Sequence, residues 1–148
     1  MRINNLDLPA TTQSTPLKVY CDATRGKDDF CTVGWVYTDH NGAFADEGGC
    51  ELGKQPDSVQ AEMEAIKRSL SVLDGYNHVN HVKVYTDCQP VLNHLDEETL
   101  GVGFENLTLN WIERGQNKLA DLIADKYMAA SSQSSDVVKS VAPFGSTD

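Results

Sequence analysis

The sequence predicts an α/β domain on a five-stranded mixed sheet, with the first three strands antiparallel, strands 1, 4 and 5 parallel, and helices on the flanks. Two observations predict it. Three strand-like segments come first, separated by turn signals, and helices then alternate with strands. Two of the strands also end alike, in Lys18-Val19-Tyr20-Cys21-Asp22 and Lys83-Val84-Tyr85-Thr86-Asp87.

The first strand, residues 17–23, alternates: Leu17, Val19 and Cys21 share one face, and Lys18, Tyr20 and Asp22 the other. Residues 31–38 are rich in β-branched and aromatic side chains. Asp39-His40-Asn41-Gly42 carries the Asn-Gly hairpin signal, so residues 43–50 return as a third strand, with an irregularity expected at Gly48-Gly49. A helix over 58–73 is marked by Val59, Met63, Ile66, Leu70 and Leu73, spaced by three and four, and Gly75 ends it. Residues 81–86 form the fourth strand. Pro90 suits the first turn of a short helix reaching about residue 95, with Asp96-Glu97-Glu98 as its solvated end. Residues 107–113 form the fifth strand, and Asn117 is placed to cap a last helix ending near Met128. Trp35 and Trp111 read as core.

The chain of 148 residues suits one domain with one core. Residues 1–16 read as a flexible N-terminal segment, 17–130 as the folded domain, and 131–148 as a disordered Ser-rich tail whose residues 137–144 form a weak docking segment. No apolar run spans a bilayer and the N-terminus lacks a signal-peptide core, so a cytoplasmic protein with no membrane partner is expected. Cys21, Cys31, Cys50 and Cys88 contain no C-x-x-C pair, which argues against a zinc knuckle and for free thiols in a reducing compartment. The net charge of −10, from 22 acids against 12 bases, argues against a general nucleic-acid binder. It is compatible with an enzyme whose acids collect divalent cations, and equally with adaptation to a salty interior.

If the two like-ended strands are parallel neighbours, Asp22 and Asp87 emerge together at their carboxyl ends, where open α/β sheets place their sites. Adjacent carboxylates repel unless a cation lies between them, although a solvated Asp ending a strand is also ordinary. On the long helix, at about 100° per residue, Glu62 lies roughly 60° from the centre of the apolar stripe and Glu64 roughly 140° away. Glu62 therefore borders the core, where an unpaired charge is costly. The last helix carries a stripe of Leu119, Ile123 and Tyr127, flanked by Ala120 and Ala124. Asp121 lies somewhat nearer that stripe than Asp125, and an acid in a first turn is also favourable in its own right.

Val19-Tyr20-Cys21-Asp22, Ala61-Glu62-Met63-Glu64-Ala65-Ile66, Tyr85-Thr86-Asp87-Cys88-Gln89 and Asn117-Lys118-Leu119-Ala120-Asp121, in this order on these elements, resemble the type 1 ribonuclease H family over about residues 17–130. The run from Trp111 to Asp121 is similar to the branch with a short final loop, found in archaeal and plant-like members. The resemblance implies the ribonuclease H-like fold and an endonuclease that cuts the RNA strand of RNA/DNA hybrids, with Asp22, Glu62, Asp87 and Asp121 as catalytic and metal-binding residues. Two Mg²⁺ or Mn²⁺ ions per active site are implied, Asp22 bridging both, Asp121 completing the water-activating site, and Glu62 and Asp87 holding the other. Gln89 is implied to meet the minor groove of the hybrid; Arg114 and Asn117 are also expected to contact it, although a solvated loop arginine at Arg114 is equally ordinary, and a monomer is expected.

The chain departs from the family's pattern in three places. The loop Glu113-Arg114-Gly115-Gln116-Asn117 lacks the His of many bacterial members. The Asn residues that precede the helix acid are replaced around Ser58-Val59-Gln60. The stretch from Asp96 to Glu105 is too short for a basic handle helix, so weak hybrid affinity is expected, or help from salt, Mn²⁺ or a partner. Two rivals stand beside this reading: a nuclease of the same fold acting on another nucleic acid, and a non-catalytic acidic interaction module. His78 and His81 flank a strand and read as surface side chains rather than a metal pair. Gly101-Val102-Gly103 lacks the rest of a dinucleotide fingerprint.

Overall fold

The computed structural model describes residues 8–131. Five strands, β1 (Leu17–Arg25), β2 (Phe30–Thr38), β3 (Phe44–Lys54), β4 (His81–Thr86) and β5 (Asn106–Trp111), form one sheet in the order β3-β2-β1-β4-β5. The pairs β1–β2 and β2–β3 are antiparallel; β1–β4 and β4–β5 are parallel. The helices are α1 (Ser58–Val72), the short α2 (Glu97–Leu100) and α3 (Lys118–Ala129). The expected mixed sheet and its strand directions are thus present. Among the described residues no helix is long and apolar enough to cross a membrane.

Local chemistry accounts for the boundaries. Asp57 begins α1 by accepting a hydrogen bond from the Gln60 amide at 2.9 Å. Asp39 closes the β2–β3 turn by accepting from the amides of Asn41 and Ala43, with Gly42 at φ +89°. The α1 stripe packs on the sheet as its spacing predicts: Met63, Ile66, Leu70 and Leu73 join Leu17, Val19, Cys21, Val33, Trp35 and Tyr37 in the main core. The Cys21 thiol lies 3.3 Å from the Ser69 hydroxyl of α1. Alternation therefore turns Asp22 and its cross-strand partner Gly34 to the opposite face, where α3 packs. At Gly34 an added Cβ would stand 2.4 Å from the Ala124 nitrogen and 2.9 Å from the Ala120 oxygen. Only a residue without a side chain lets α3 lie this close.

Several expectations are corrected. Residues 8–16 are tied down in part: Leu8 is buried, and the Thr11 hydroxyl accepts from the amides of Asn80 and His81. The tail segment 137–144 lies outside the described residues. Gly48-Gly49 cause no register shift; the irregularities fall at Cys31/Thr32 and Tyr37/Thr38, and the two glycines make room for the rings of Trp35 and Tyr127. The segment after β4 is a 3₁₀ turn, Gln89–Asn93, and Asp96 opens α2 by accepting from the Glu98 amide rather than ending a helix. Trp111 ends an edge strand and is 46% exposed rather than core. On α3 the buried stripe is Ala120, Ile123 and Ala124, with Leu119 turned out at 49% exposure. His81 is not fully at the surface; its Nε2 lies 3.1 Å from Glu105.

Candidate active site

The twin pentapeptides lie in register. Lys18 pairs with Lys83 and Tyr20 with Tyr85, and the β1–β4 ladder stops there, two residues short of Asp22 and Asp87. The acids stand where the strands part, at the carboxyl edge of the sheet. Glu62, in the second turn of α1, comes to the same place. One ligand oxygen from each of Asp22, Glu62 and Asp87 lies within 4.8 Å of the other two. Three residues separated by 40 and 25 positions in the chain thus share one small volume.

Asp22 and Glu62 are buried, 6% and 8% exposed, and Asp87 is half-buried. Burial first, and the facing carboxylates after it, push the Asp22 and Glu62 carboxyls above their ordinary range. Asp22 accepts a hydrogen bond from the Ala23 amide at 2.9 Å. Glu62 Oε1 is buried and has no hydrogen-bond partner among the described residues. A buried acid with an unsatisfied oxygen facing two more acids is costly in a protein without a cation there. The donor set is all carboxylate oxygen, which fits a hard divalent ion such as Mg²⁺ or Mn²⁺. The residues present therefore fit the metal that the resemblance implies.

Asp121 lies in the first turn of α3, close enough for its charge to raise the Asp22 carboxyl, but it stands outside the tight trio. Asp125, one turn on, instead accepts a hydrogen bond from the Thr24 hydroxyl at 2.6 Å, so geometry separates the two acids of this helix. Gln89 follows the site on the turn after Asp87, and Arg114 sits on the turn before α3; both are exposed.

Asn117 differs from expectation. It occupies the position before α3, but its side chain makes no capping bond. Its amide turns inward, donating to the Cys21 carbonyl at 2.8 Å and to Asp87 Oδ2 at 3.3 Å. At 1% exposure it holds the site from behind instead of meeting a ligand at the surface. Two contributors escaped the sequence reading: this role of Asn117, and Gly34, whose bare backbone admits the helix that carries Asp121. A lone Gly in the run Thr32-Val33-Gly34-Trp35-Val36 is the signal that marks such an approach.

No curated protein matches the chain significantly. Among solved structures, it resembles ribonuclease H1 from the halophilic archaeon Halobacterium salinarum NRC-1, at 21% identity over 78% of this chain and 99% of that one, with a TM-score of 0.68. The N-terminal ribonuclease H domain of a Mycobacterium tuberculosis protein gives 18% identity, 82% and 99% coverage, and a TM-score of 0.68. The LC11 ribonuclease H1, solved in complex with an RNA/DNA hybrid, gives 23%, 74% and 94%, and 0.65. These likenesses agree with the strand order and directions described above and establish the ribonuclease H fold. A family model described as reverse transcriptase-like matches residues 20–127, a span that begins in β1 and ends in α3, and the chain belongs to that family.

Proposed function

We propose that this protein is an endonuclease that hydrolyses the RNA strand of RNA/DNA hybrids with two divalent metal ions, Mg²⁺ or Mn²⁺. The observation that carries the reading is the convergence of Asp22, Glu62 and Asp87, with ligand oxygens within 4.8 Å of one another, at the carboxyl edge of a ribonuclease H fold. A neighbour of that fold has been solved with such a hybrid bound.

Glu62 and Asp87 would hold one ion, Asp121 the other, and Asp22 both. When bound, the ions supply Lewis-acid chemistry on both sides of the phosphodiester, activating water and stabilising the leaving 3′ oxygen. The protein's own contribution is placement. Asn117 fixes the Asp87 carboxylate against β1, and the Ala23 amide fixes that of Asp22. Gln89, exposed just past Asp87, is placed to meet the minor groove, where the 2′-hydroxyl distinguishes RNA from DNA. Arg114, exposed before α3, is placed to meet a phosphate. We further infer that the protein works as a monomer in the cytoplasm, a setting that its four free cysteines support.

The test is a cleavage panel of RNA/DNA hybrid, duplex DNA and duplex RNA, with Mg²⁺ or Mn²⁺, in low and molar salt. Wild type should cut the RNA of the hybrid, and Asp22→Asn and Asp87→Asn should not. Equal activity of all three proteins, or cleavage confined to another substrate, would overturn the reading.

A further inference from the structure

The repeated pentapeptides bring together more than two acids. Because side chains alternate along a strand, Lys18, Tyr20 and Asp22 face the same way, and the parallel register sets Lys83 and Tyr85 beside the first two. One sheet face therefore carries a lysine pair and a tyrosine pair in register, in line with the two aspartates of the site just beyond the end of the pairing. The tyrosine rings stack, with centroids 4.8 Å apart and planes 13° from parallel. Helix α3 packs mainly on β2, β1 and β3, leaving Lys83 exposed, with Lys18, Tyr20 and Tyr85 half-buried.

The lysine rung has the same electrostatic problem as the two aspartates, with opposite sign. Like charges side by side on neighbouring strands repel. Among the described residues neither Lys18 nor Lys83 has a carboxylate partner: their rung is flanked by Thr38 and Thr108, and the next by Val36 and Asn110. The nearest acid in register, Glu47 beyond Val36, is held by Lys126 at 2.6 Å. In a chain of net charge −10, a paired and unneutralised cationic rung in line with the candidate site calls for an anion. At about 3.3 Å per residue the lysine rung lies roughly 13 Å along β1 from Asp22, about four nucleotide steps along a duplex axis.

We propose that Lys18 and Lys83 form a phosphate-binding rung that holds the substrate backbone about four nucleotides from the cut, with Tyr20 and Tyr85 as the platform between. This rests on the nuclease reading above and assigns its substrate a second point of attachment. The rung substitutes for the basic handle for which the stretch from Asp96 to Glu105 is too short.

The experiment measures hybrid affinity by fluorescence anisotropy across a salt series, with the cleavage-deficient Asp22→Asn protein in Ca²⁺, and hybrid cleavage by the parent protein. In the Lys18→Gln/Lys83→Gln variant the slope of log affinity against log salt should fall in magnitude by about 1.8, the value for two lost phosphate contacts. Lys18→Arg/Lys83→Arg should restore it. A Lys67→Gln/Lys126→Gln variant, with the same net charge but the rung intact, should keep the parent slope. KM should rise in the first variant while kcat stays unchanged. An unchanged slope, or equal slopes in both glutamine variants, with normal hybrid cleavage by the parent, overturns the rung and leaves the nuclease reading standing. Failure of the parent to bind or cut hybrid overturns both.

Discussion

The amide nitrogen of Asn117 lies 2.8 Å from the carbonyl oxygen of Cys21 and 3.3 Å from Asp87 Oδ2, so one side chain ties the start of α3 to both strands that carry the site. It replaces a helix cap with a cross-link among the three elements that bear Asp22, Asp87 and Asp121. Removing such a support from a ligating carboxylate typically costs about 10–100-fold in metal affinity or activity. Asn117→Ala should therefore lower hybrid cleavage by about that factor, partly recovered at high Mn²⁺, and Asn117→Asp should do worse by adding a like charge beside Asp87. Mn²⁺ titrations of both variants check this; wild-type metal dependence in Asn117→Ala would show that the cross-link does not position the site.

Glu62 is the acid whose burial most needs a cation. Glu62→Gln keeps the shape and removes the charge, so it should abolish activity while leaving the protein in EDTA at pH 8 as stable as wild type or more so. Thermal melting in EDTA, paired with the cleavage assay, reads both effects. A strongly destabilised Glu62→Gln protein would show that the carboxylate is held by contacts other than a metal.

The legible parts of this molecule were those set by period and repetition. The like pentapeptides announced the β1–β4 register, and an angular count along α1 separated Glu62 from Glu64. The illegible parts were set by packing that hydrophobicity does not weigh. On α3 the contact surface is Ala120 and Ala124 against the backbone of Gly34, so Leu119 faces outward although it is the more apolar residue. Trp111 was misread because a strand-end aromatic is buried only if a layer covers it, and β5 is an edge. Asn117 was misread because Asn before a helix is usually a cap, and only the fold shows the carbonyl and carboxylate waiting for its amide.

The raised carboxyls of Asp22 and Glu62 make a signed prediction about pH. A carboxyl whose folded pKa lies above its unfolded value binds its proton more tightly when folded. Its stabilising contribution is complete below the unfolded pKa, near 4, and is lost as pH rises through the folded value. In EDTA the melting temperature should therefore fall from pH 5 toward pH 9, the reverse of the usual paired carboxylate. Saturating Mg²⁺ should flatten or invert the trend by stabilising the ionised form. A melting temperature in EDTA that rises over this range would contradict the burial argument.

Gly34 makes the most local prediction. It pairs with Asp22 across β1 and β2, and the nearest atoms to an added Cβ are backbone atoms of α3, which cannot rotate aside. Gly34→Ala must lift the helix, at a cost of about 1–3 kcal/mol typical of overpacking. Because α3 carries Asp121 and begins at Asn117, the displacement should also reduce hybrid cleavage at temperatures where the variant is fully folded. Circular dichroism melts fix that temperature, and cleavage below it supplies the second readout. Loss of stability with wild-type activity would mean that α3 carries Asp121 away without consequence, and that Asp121 is not among the groups the reaction needs.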